Sequence, residues 1–334
     1  RQMRPRERGV ALITAMLIVA IIATLATTLA LGQQVWLRQA QNLSDLAEAE
    51  RLRQSAFEGA AAILTADGKN AQTSAIDYYG EAWAQPITFP IDNAVVNLLV
   101  KDAQGRFNLN NLILAPPTQQ PGQPGNPGNT PTNYRDVYMR LLTLVGVDPG
   151  RAAALAAALI DWLDDNSDVQ PGGAEDLDYL NHDPPYRAAN RALMSVDELR
   201  LVSGYTPDII EKLRDHVIAL PAGNQTPINV NTASVEVLAA LTGVDLATEK
   251  GVVDMRDREP FKNKETFQAL HPSFKGACPC AVVSNYFIVS VTTQVGRILR
   301  TSEGLIERPS GGRAQALWYR QVPPKMVLDE EKSS

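Results

Sequence analysis

Residues 10–31 form an apolar segment of 22 residues, and no charged side chain occurs between Arg8 and Arg38. An α-helix of this length rises about 33 Å, which is enough to cross the roughly 30 Å hydrocarbon core of a bilayer. Two further arginines, Arg4 and Arg6, stand with Arg8 in front of the segment. Because positive flanks stay in the cytoplasm, the sequence predicts a single-pass membrane anchor with most of the chain on the opposite side.

The residues just before the apolar segment decide what kind of signal it is. A secretory signal has a shorter apolar run followed by a small-x-small cleavage site, whereas here Gly9 stands immediately before the run. On composition alone, an ordinary signal anchor is the alternative. The stretch RGVALI at 8–13 resembles the leader of type IV pilins and of the pseudopilins of type II secretion. The resemblance implies that a prepilin peptidase cuts between Gly9 and Val10 and methylates the new N-terminus.

One position departs from this family pattern. Thr14, the fifth residue after the expected cut, stands where most members carry a Glu that pairs with the N-terminus of a neighbouring subunit. The K-type minor pseudopilins lack that Glu and are unusually large, and this chain resembles them in both respects. The resemblance implies a topmost subunit of a short filament, anchored in the bacterial inner membrane with its bulk in the periplasm.

The chain beyond the anchor is predicted to build a helix and a sheet. Residues 33–66 keep apolar side chains at helical spacing with charges between them, which predicts an amphipathic continuation of the same helix. Residues 94–101 alternate apolar and polar side chains, as a half-buried strand does. The partners of this strand are expected only much later, at 285–295, 296–308 and 315–322, after Gly-bearing turns. A long insertion must therefore interrupt the sheet.

The insertion repeats itself. FNLNNL at 107–112 matches INVNTA at 228–233, and the segments 141–162, 199–218 and 238–256 share a pattern of helix, Gly turn and helix. We therefore expect an α+β fold in which a pilin-like N-terminal transmembrane and amphipathic α-helix packs on an antiparallel sheet. A large all-α insertion with helix-hairpin-helix (SAM-like) repeats completes this fold.

Helix-hairpin-helix motifs often bind DNA through backbone N–H groups at the start of the second helix, usually with Gly-x-Gly and nearby Lys or Arg. Here Asp148, Thr206 and Asp245 replace the second Gly. A side-chain oxygen at these positions caps the helix itself, and the two Asp repel phosphate. The net charge of −6 also disfavours a polyanionic partner. We expect no nucleic-acid partner, and a membrane-tethered DNA-binding uptake protein is the alternative function.

The segment 161–183 carries eight carboxylates and no Lys or Arg, so a cation or full solvation must offset their repulsion. Counted from Asp164, the spacing follows the ligand register of a calcium loop, although position 6 is Val169 where such loops need Gly. The K-type resemblance independently implies calcium in the inserted helical domain. The expected calcium ligands are Asp164, Asn166, Asp168, the Gln170 carbonyl, Glu175 and, as a further ligand, Asp176. A solvated acidic loop is the alternative.

No catalytic constellation is recognisable. His182, His216 and His271 are not spaced with a carboxylate and a nucleophile, so we expect that the protein is not an enzyme. If it were an enzyme, a calcium-dependent hydrolase would be the alternative. Cys278 and Cys280 are too few and too close for a four-ligand zinc site. In an oxidising periplasm they either close on each other as a disulfide or stay as buried small residues.

The resemblance spans nearly the whole chain and implies both an organisation and a set of partners. The expected partners are the I-, J- and H-type minor pseudopilins, the major pseudopilin, prepilin peptidase, the secreted proteins and the secretin. The expected function is to assist the export of folded proteins from the periplasm. The predicted regions are a leader at 1–9, the transmembrane helix at 10–31, a pilin-like domain at 32–106 and 281–323, a first inserted helical domain with the calcium loop at 107–220, a second inserted helix-hairpin-helix domain at 221–280, and a disordered tail at 324–334.

Overall fold

A computed structural model describes residues 5–70, 73–113, 133–271 and 278–323. The predicted anchor and amphipathic helix are one continuous helix, α1, which spans Pro5–Lys69 and so also takes in the end of the predicted leader. Its 65 residues correspond to about 97 Å of helix. An 18-residue window of α1 has a mean hydropathy of 2.4 and is 0% buried, so α1 is long and apolar enough to cross a membrane. The predicted mobile loop at 116–131 and the tail at 324–334 lie outside the described residues.

The remaining helices are short and lie mainly in the insertion. The α-helices are α2 (Tyr134–Leu144), α3 (Pro149–Leu163), α4 (Asp176–Tyr179), α5 (Pro207–Leu213), α6 (Val235–Thr242), α7 (Leu246–Arg258) and α8 (Lys264–Ala269). Single 3₁₀ turns occupy Ala82–Ala84, Leu109–Leu112 and Val196–Leu201. The strands are β1 (Ile87–Ile91), β2 (Ala94–Asp102), β3 (Phe107–Asn108), β4 (Val217–Ile218), β5 (Ile228–Asn229), β6 (Cys280–Ala281), β7 (Tyr286–Val295), β8 (Ile298–Glu307) and β9 (Gln315–Val322).

Five strands form one antiparallel sheet in the order β1-β2-β7-β8-β9. The four predicted strands are confirmed as β2, β7, β8 and β9. The expectation that β2 finds partners only much later in the chain is wrong, because β1 precedes β2 and pairs with it. β1 escaped prediction because it contains Pro90, which cannot donate to a ladder and is tolerated at a sheet edge. Asp92, with φ of 47°, makes the turn between the two strands.

The core of the pilin-like part lies between α1 and one face of the sheet. In β2, every second residue from Ala94 to Asp102 is buried, which follows directly from the alternation of its side chains. On α1, Phe57 and Leu64 are seven residues apart and therefore lie on the same face of the helix. Both pack on that face of the sheet. The sheet residues that meet them include Val96, Leu98, Val289, Val291 and Ile306.

The insertion contains two short parallel strand pairs. β3 pairs with β4, with Phe107 opposite Val217, and β5 pairs with β6, with Ile228 opposite Cys280. Each pair brings together the beginning and the end of a helical stretch, so each stretch closes on itself as a unit. We call residues 107–218 the first unit and 228–281 the second unit.

The structure agrees with the three predicted hairpins to different extents. The hairpin α2–α3 turns at Gly146 (φ 89°) and the hairpin α6–α7 turns at Gly243 (φ 75°), which are left-handed conformations that favour Gly. The segment 199–218 does not begin with an α-helix as expected. Val196–Leu201 is a 3₁₀ turn, and α5 begins only at Pro207. Two of the three predicted hairpins thus pair α-helices.

The repeated Asn-x-Asn of the sequence has the same structural role in both units. Asn110 Oδ1 accepts the backbone N–H of Leu193 at 2.8 Å, and its Nδ2 donates to the Leu193 carbonyl at 3.0 Å. Asn231 makes the same pair of bonds to Phe261, at 2.8 and 3.0 Å. Each asparagine is buried and satisfies a distant backbone segment, much as a strand would. The sequence match therefore reflects a shared way of pinning a loop to a unit.

Both chain junctions of the insertion lie at one end of the sheet. Asp102, at the end of β2, stands opposite Phe287 near the start of β7. Arg308, which directly follows β8 at this same end, forms an ion pair with Asp67 near the end of α1. The insertion is therefore attached where α1 finishes. From Leu31 to this point the helix rises about 54 Å.

Candidate functional site

The expected processing site lies within α1. Val10 is 63% exposed, and the hydroxyl of Thr14 donates to the Val10 carbonyl at 3.1 Å. Thr14 thus uses its side chain on the preceding turn of its own helix. A Glu at this place would instead carry a charge along the apolar surface.

The acidic segment forms the loop between α3 and α4. Asp164 ends α3, and a series of local turns follows: the Asn166 N–H donates to Asp164 Oδ1 at 3.3 Å, and the Asp168 N–H donates to Asn166 Oδ1 at 2.7 Å. Asn166 and Asp168 are exposed. The side chains of Asp164 and Asn166 therefore shape the loop through its own backbone, and Asn166 and Asp168 face solvent.

The centre of this loop is Asp161, which sequence reasoning did not place among the ligands. Asp161 is fully buried in α3, and its Oδ2 accepts the Gln170 N–H at 3.1 Å. Gly173 approaches so closely that a Cβ there would stand 1.9 Å from the same oxygen. Only Gly fits at 173, since any side chain would displace the carboxylate. Burial raises the pKa of Asp161, against the hydrogen bond from Gln170.

Glu175 faces this centre with an unmatched charge. It is 3% exposed, and no side chain of the described residues donates to either carboxylate oxygen. Burial raises the pKa of Glu175, and the charges of Asp161 and Asp164 raise it further. Asn190 adds a buried Oδ1 without a donor in the described chain, and its N–H donates to the carbonyl of Trp162, next to Asp161. These buried oxygens, which lack a side-chain donor among the described residues, fit a hard cation such as calcium, which binds oxygen ligands.

The other two predicted ligands are already engaged. Asp176 forms an ion pair with Arg187 at 2.9 Å and accepts the Ala188 N–H at 3.0 Å. The Gln170 carbonyl accepts the Gly173 N–H at 2.8 Å, and its side chain accepts from Arg135 at 2.9 Å. The structure thus draws Glu175 toward Asp161 and Asp164, and holds Asp176 and Gln170 in other contacts.

A tighter carboxylate group lies elsewhere. Within the described ranges, Asp67, Asp77 and Glu81 bring carboxylate oxygens within 4.8 Å of one another. The guanidinium of Arg308 forms ion pairs with Asp67 and Asp77, so a cation of the chain itself already occupies this group. Burial raises the pKa of Asp77 to about 6 and that of Glu81 to about 7. No sequence signal could have found this group, since Arg308 lies 231 and 241 residues from its partners.

The helix starts of the hairpins are closed to anions. Asp148 Oδ1 accepts the N–H groups of Gly150 and Arg151 at 2.9 and 3.2 Å, and Asp245 Oδ1 accepts those of Ala247 and Thr248 at 3.1 and 3.0 Å. The expectation that the third position also caps its helix is wrong, because Thr206 makes no side-chain cap. At α3 and α7, a phosphate would have to displace a carboxylate that already satisfies the N–H groups.

The second unit contains a buried pair that the sequence did not suggest. His271 and Glu249 are 4% and 0% exposed, and His271 Nε2 lies 3.0 Å from Glu249 Oε2. The hydrogen bond to Glu249 raises the pKa of His271. His182 is exposed and lies against Tyr186, and His216 contacts Ser234. The structure joins Cys278 and Cys280 through a disulfide beside β5.

Comparison with known proteins extends this description. Two family models, both described as Type II secretion system (T2SS), protein K, match residues 105–222 and 228–277. The chain is 33% identical over 325 residues to the type II secretion system protein K of Pseudomonas aeruginosa, covering 94% of this chain and 93% of the relative. It is 30% identical to the protein of the same name from Pectobacterium carotovorum, covering 88% and 90%.

A solved structure also matches. The GspK-GspI-GspJ complex from the type 2 secretion system of enterotoxigenic Escherichia coli contains a chain that superposes with a TM-score of 0.71 at 25% identity. The match covers 85% of this chain and 99% of that chain. This likeness supports the α+β fold of the chain.

Proposed function

The chain belongs to the type II secretion system protein K family, and on that premise we propose that it is a minor pseudopilin that helps export folded proteins from the periplasm. Its work is structural: it binds other subunits and catalyses no reaction. α1 anchors it in the inner membrane, and the sheet and insertion lie in the periplasm.

One observation carries the proposed position at the filament tip. The insertion leaves the sheet at the end where α1 finishes, about 54 Å along the helix from the apolar segment. The two helical units therefore stand on the face where the next subunit of a filament would have to stack. A subunit built in this way ends a filament instead of extending it.

Thr14 supports the same position. In a filament whose subunits pair through a buried carboxylate near the N-terminus, Thr14 offers no charge and donates to its own helix. Partner subunits can then pack against the chain from its membrane side. The chain itself offers no carboxylate to the N-terminus of a further subunit.

The proposed partners are the I- and J-type minor pseudopilins, since the matching solved chain comes from a complex with proteins of those two types. The H-type and major pseudopilins, the secretin and the secreted proteins are further proposed partners. Exposed apolar residues of α1 beyond the membrane segment offer a contact surface, namely Val35, Trp36, Leu37 and Leu43, which are 53–68% exposed.

We further propose that prepilin peptidase cuts between Gly9 and Val10. Mass spectrometry of the membrane-extracted protein should find an N-terminus at Val10 carrying a methyl group. A Gly9→Leu variant should keep the leader in the same cells. Cleavage beyond Leu31, or an intact leader in a peptidase-positive cell, contradicts the assignment.

Calcium is proposed to bind at the α3–α4 loop. Asp161, Asp164 and Glu175 would hold it with carboxylate oxygens, and Asn190 would add an amide oxygen. A bound cation would be the positively charged partner that the buried carboxylate of Glu175 lacks. Asn166 and Asp168 shape the loop, and Asp176 holds its far end through Arg187.

Export is tested in the bacterium that makes the protein. Deleting its gene should leave the normally exported proteins in the periplasm, and the full chain supplied in trans should return them to the medium. A chain lacking residues 107–281 should be made and inserted but should fail to restore export. Normal export in the deletion strain would remove the proposed role.

A further inference from the structure

A groove of about 370 Å³ opens between α1 and the sheet. We call this site the arginine groove. Six of its lining residues are Glu50, Arg53, Thr293, Arg300, Ser302 and Tyr319. On the sheet, Thr293 stands opposite Arg300, and Ser302 follows two residues further on the same face. The helix-facing side of the sheet, apolar near Phe57, therefore becomes polar at this end.

Arg53 forms the helix wall of the groove with one donor unused. It is 7% exposed, its Nε donates to Glu50 Oε2 at 2.9 Å, and its guanidinium carbon lies 4.0 Å from the ring centroid of Tyr319. Its Nη1 is buried and has no acceptor in the described part of the chain. A guanidinium keeps its charge in proteins, so this N–H group stays in need of an acceptor.

Thr293 forms the sheet wall with a second unused group. It is 1% exposed, and its hydroxyl has no partner among the described residues. Buried hydroxyls are nearly always hydrogen-bonded in native proteins. Two independent elements, α1 and β7, thus each place a buried, unpaired polar group in the wall of one groove.

Among the described residues, Arg300 is the arginine of the groove that has no carboxylate partner. Arg53, Arg300 and Arg320 line it against a single carboxylate, Glu50. Arg320 is held by Asp197 and Glu303. Arg300 donates to the side-chain amide of Gln321, and no carboxylate lies within ion-pair distance of it in the described chain. The groove therefore suits an anion with two oxygens, which a guanidinium N–H and a hydroxyl can bind together.

The position of the groove excludes a lipid source for that anion. Arg53 lies 22 residues beyond Leu31, or about 33 Å along the helix from the end of the apolar segment. Headgroups occupy only about 5–8 Å outside the hydrocarbon core. A lipid phosphate cannot reach Arg53, so the anion must come from a periplasmic molecule.

The surroundings point to a protein subunit. Trp36 and Leu43 are 66% and 68% exposed and stand seven residues apart on the stripe of α1 that continues to Glu50. A helix packed on that apolar stripe runs directly toward the arginine groove. We propose that the arginine groove receives the carboxylate of an Asp or Glu side chain on the N-terminal helix of an adjoining minor pseudopilin. This inference rests on the proposed assembly with such subunits.

The test uses the full chain in detergent and the I- and J-type minor pseudopilins of the same bacterium as probes. Thr293→Val removes the hydroxyl at nearly constant volume, and Arg300→Gln removes a charge. Each should raise the dissociation constant at least about tenfold, with the effect of Arg300→Gln shrinking at high salt. Arg51→Gln removes a charge from the exposed side of the same helix and should change the constant less than about twofold. Cooperative melting at temperatures no lower than that of the unaltered chain would show that all variants are folded.

A double-mutant cycle identifies the acidic residue of the partner that enters the groove. Acidic residues of the partner helix are replaced one at a time. For one of these partner variants, adding Arg300→Gln should not raise the dissociation constant further. If Thr293→Val and Arg300→Gln bind the partners as tightly as the unaltered chain, the groove proposal is overturned while the assembly stands. If the unaltered chain binds neither partner, the proposed function falls and the groove with it. If acetate stabilises the chain through Arg300 but partner affinity is unchanged, the groove is a free-anion site and the proposal is overturned.

Discussion

Thr232, in the second unit of the insertion, donates a 2.6 Å hydrogen bond to Asp102 at the end of β2. Asp102 is 3% exposed, and the same oxygen accepts from Ser284 Oγ and Asn229 Nδ2, both at 2.7 Å. One buried carboxylate therefore joins the strand that leaves the sheet, the second unit and the segment that returns to the sheet. This junction fixes the insertion on the pilin-like part.

Asp102→Ala should destabilise the chain strongly, because it removes an acceptor that four donors share: the Thr232 and Ser284 hydroxyls, the Asn229 amide and the Gln104 N–H. The expected loss in the free energy of unfolding is about 3–5 kcal/mol. Urea unfolding of the full chain in detergent measures it. Asp254→Ala, on the exposed side of α7, is the control and should lose less than about 0.5 kcal/mol. Equal losses for the two variants would show that Asp102 does not hold the junction.

Stability should fall as the pH rises toward 8, partly through Glu81. Burial raises the pKa of Glu81 to about 7, while an unfolded chain has a Glu pKa of about 4.3. The folded state therefore binds the proton more tightly, so the contribution of Glu81 is full below pH of about 4.3 and is lost as the pH rises through about 7. Asp77, with its pKa raised to about 6, acts in the same direction.

Glu81→Gln keeps an oxygen to accept the Trp83 Nε1–H, which lies at 2.8 Å, and removes the titration. Its free energy of unfolding should fall less between pH 5 and pH 8 than that of the unaltered chain. Denaturant unfolding at pH 5, 6, 7 and 8 gives both curves. Parallel curves would mean that Glu81 does not hold a proton in the folded state.

Calcium should stabilise the chain through Glu175. If the ion binds only the folded loop, a hundredfold excess over the dissociation constant adds about 2.7 kcal/mol. Chelation should therefore lower the melting temperature of the full chain, and Glu175→Gln should lose most of this response. Asp165→Asn changes an exposed carboxylate of the same loop and should keep it. A melting curve indifferent to both chelator and calcium would leave a solvated acidic loop.

The pilin-like part was largely predictable from the sequence because its signals are local. The alternation in 94–101 and the helical spacing in 33–66 mark faces that must be buried, and both predictions are confirmed. β1 was missed because Pro90 removes a ladder donor and is typical of loops as well as of sheet edges. The fold class followed from the order of these elements together with the family resemblance.

The sites were less predictable because their contacts are distant in the chain. The calcium register counts from Asp164, but Asp161, three residues earlier within α3, accepts the loop backbone. Local spacing also gives no sign that Thr232 meets Asp102, or that Arg53 and Thr293 share a groove. Such pairs arise from how α1, the sheet and the insertion pack together.

In the proposed assembly, this chain joins other minor pseudopilins as a single capping subunit. The direct measurement is the mass of the assembly formed when the full chain is mixed in detergent with the I- and J-type subunits of the same bacterium. Size exclusion with light scattering should find a stoichiometric hetero-complex containing one copy of this chain, with no growth at higher concentration. Long homopolymers of this chain, or separate elution of all three proteins, would contradict the proposed capping assembly.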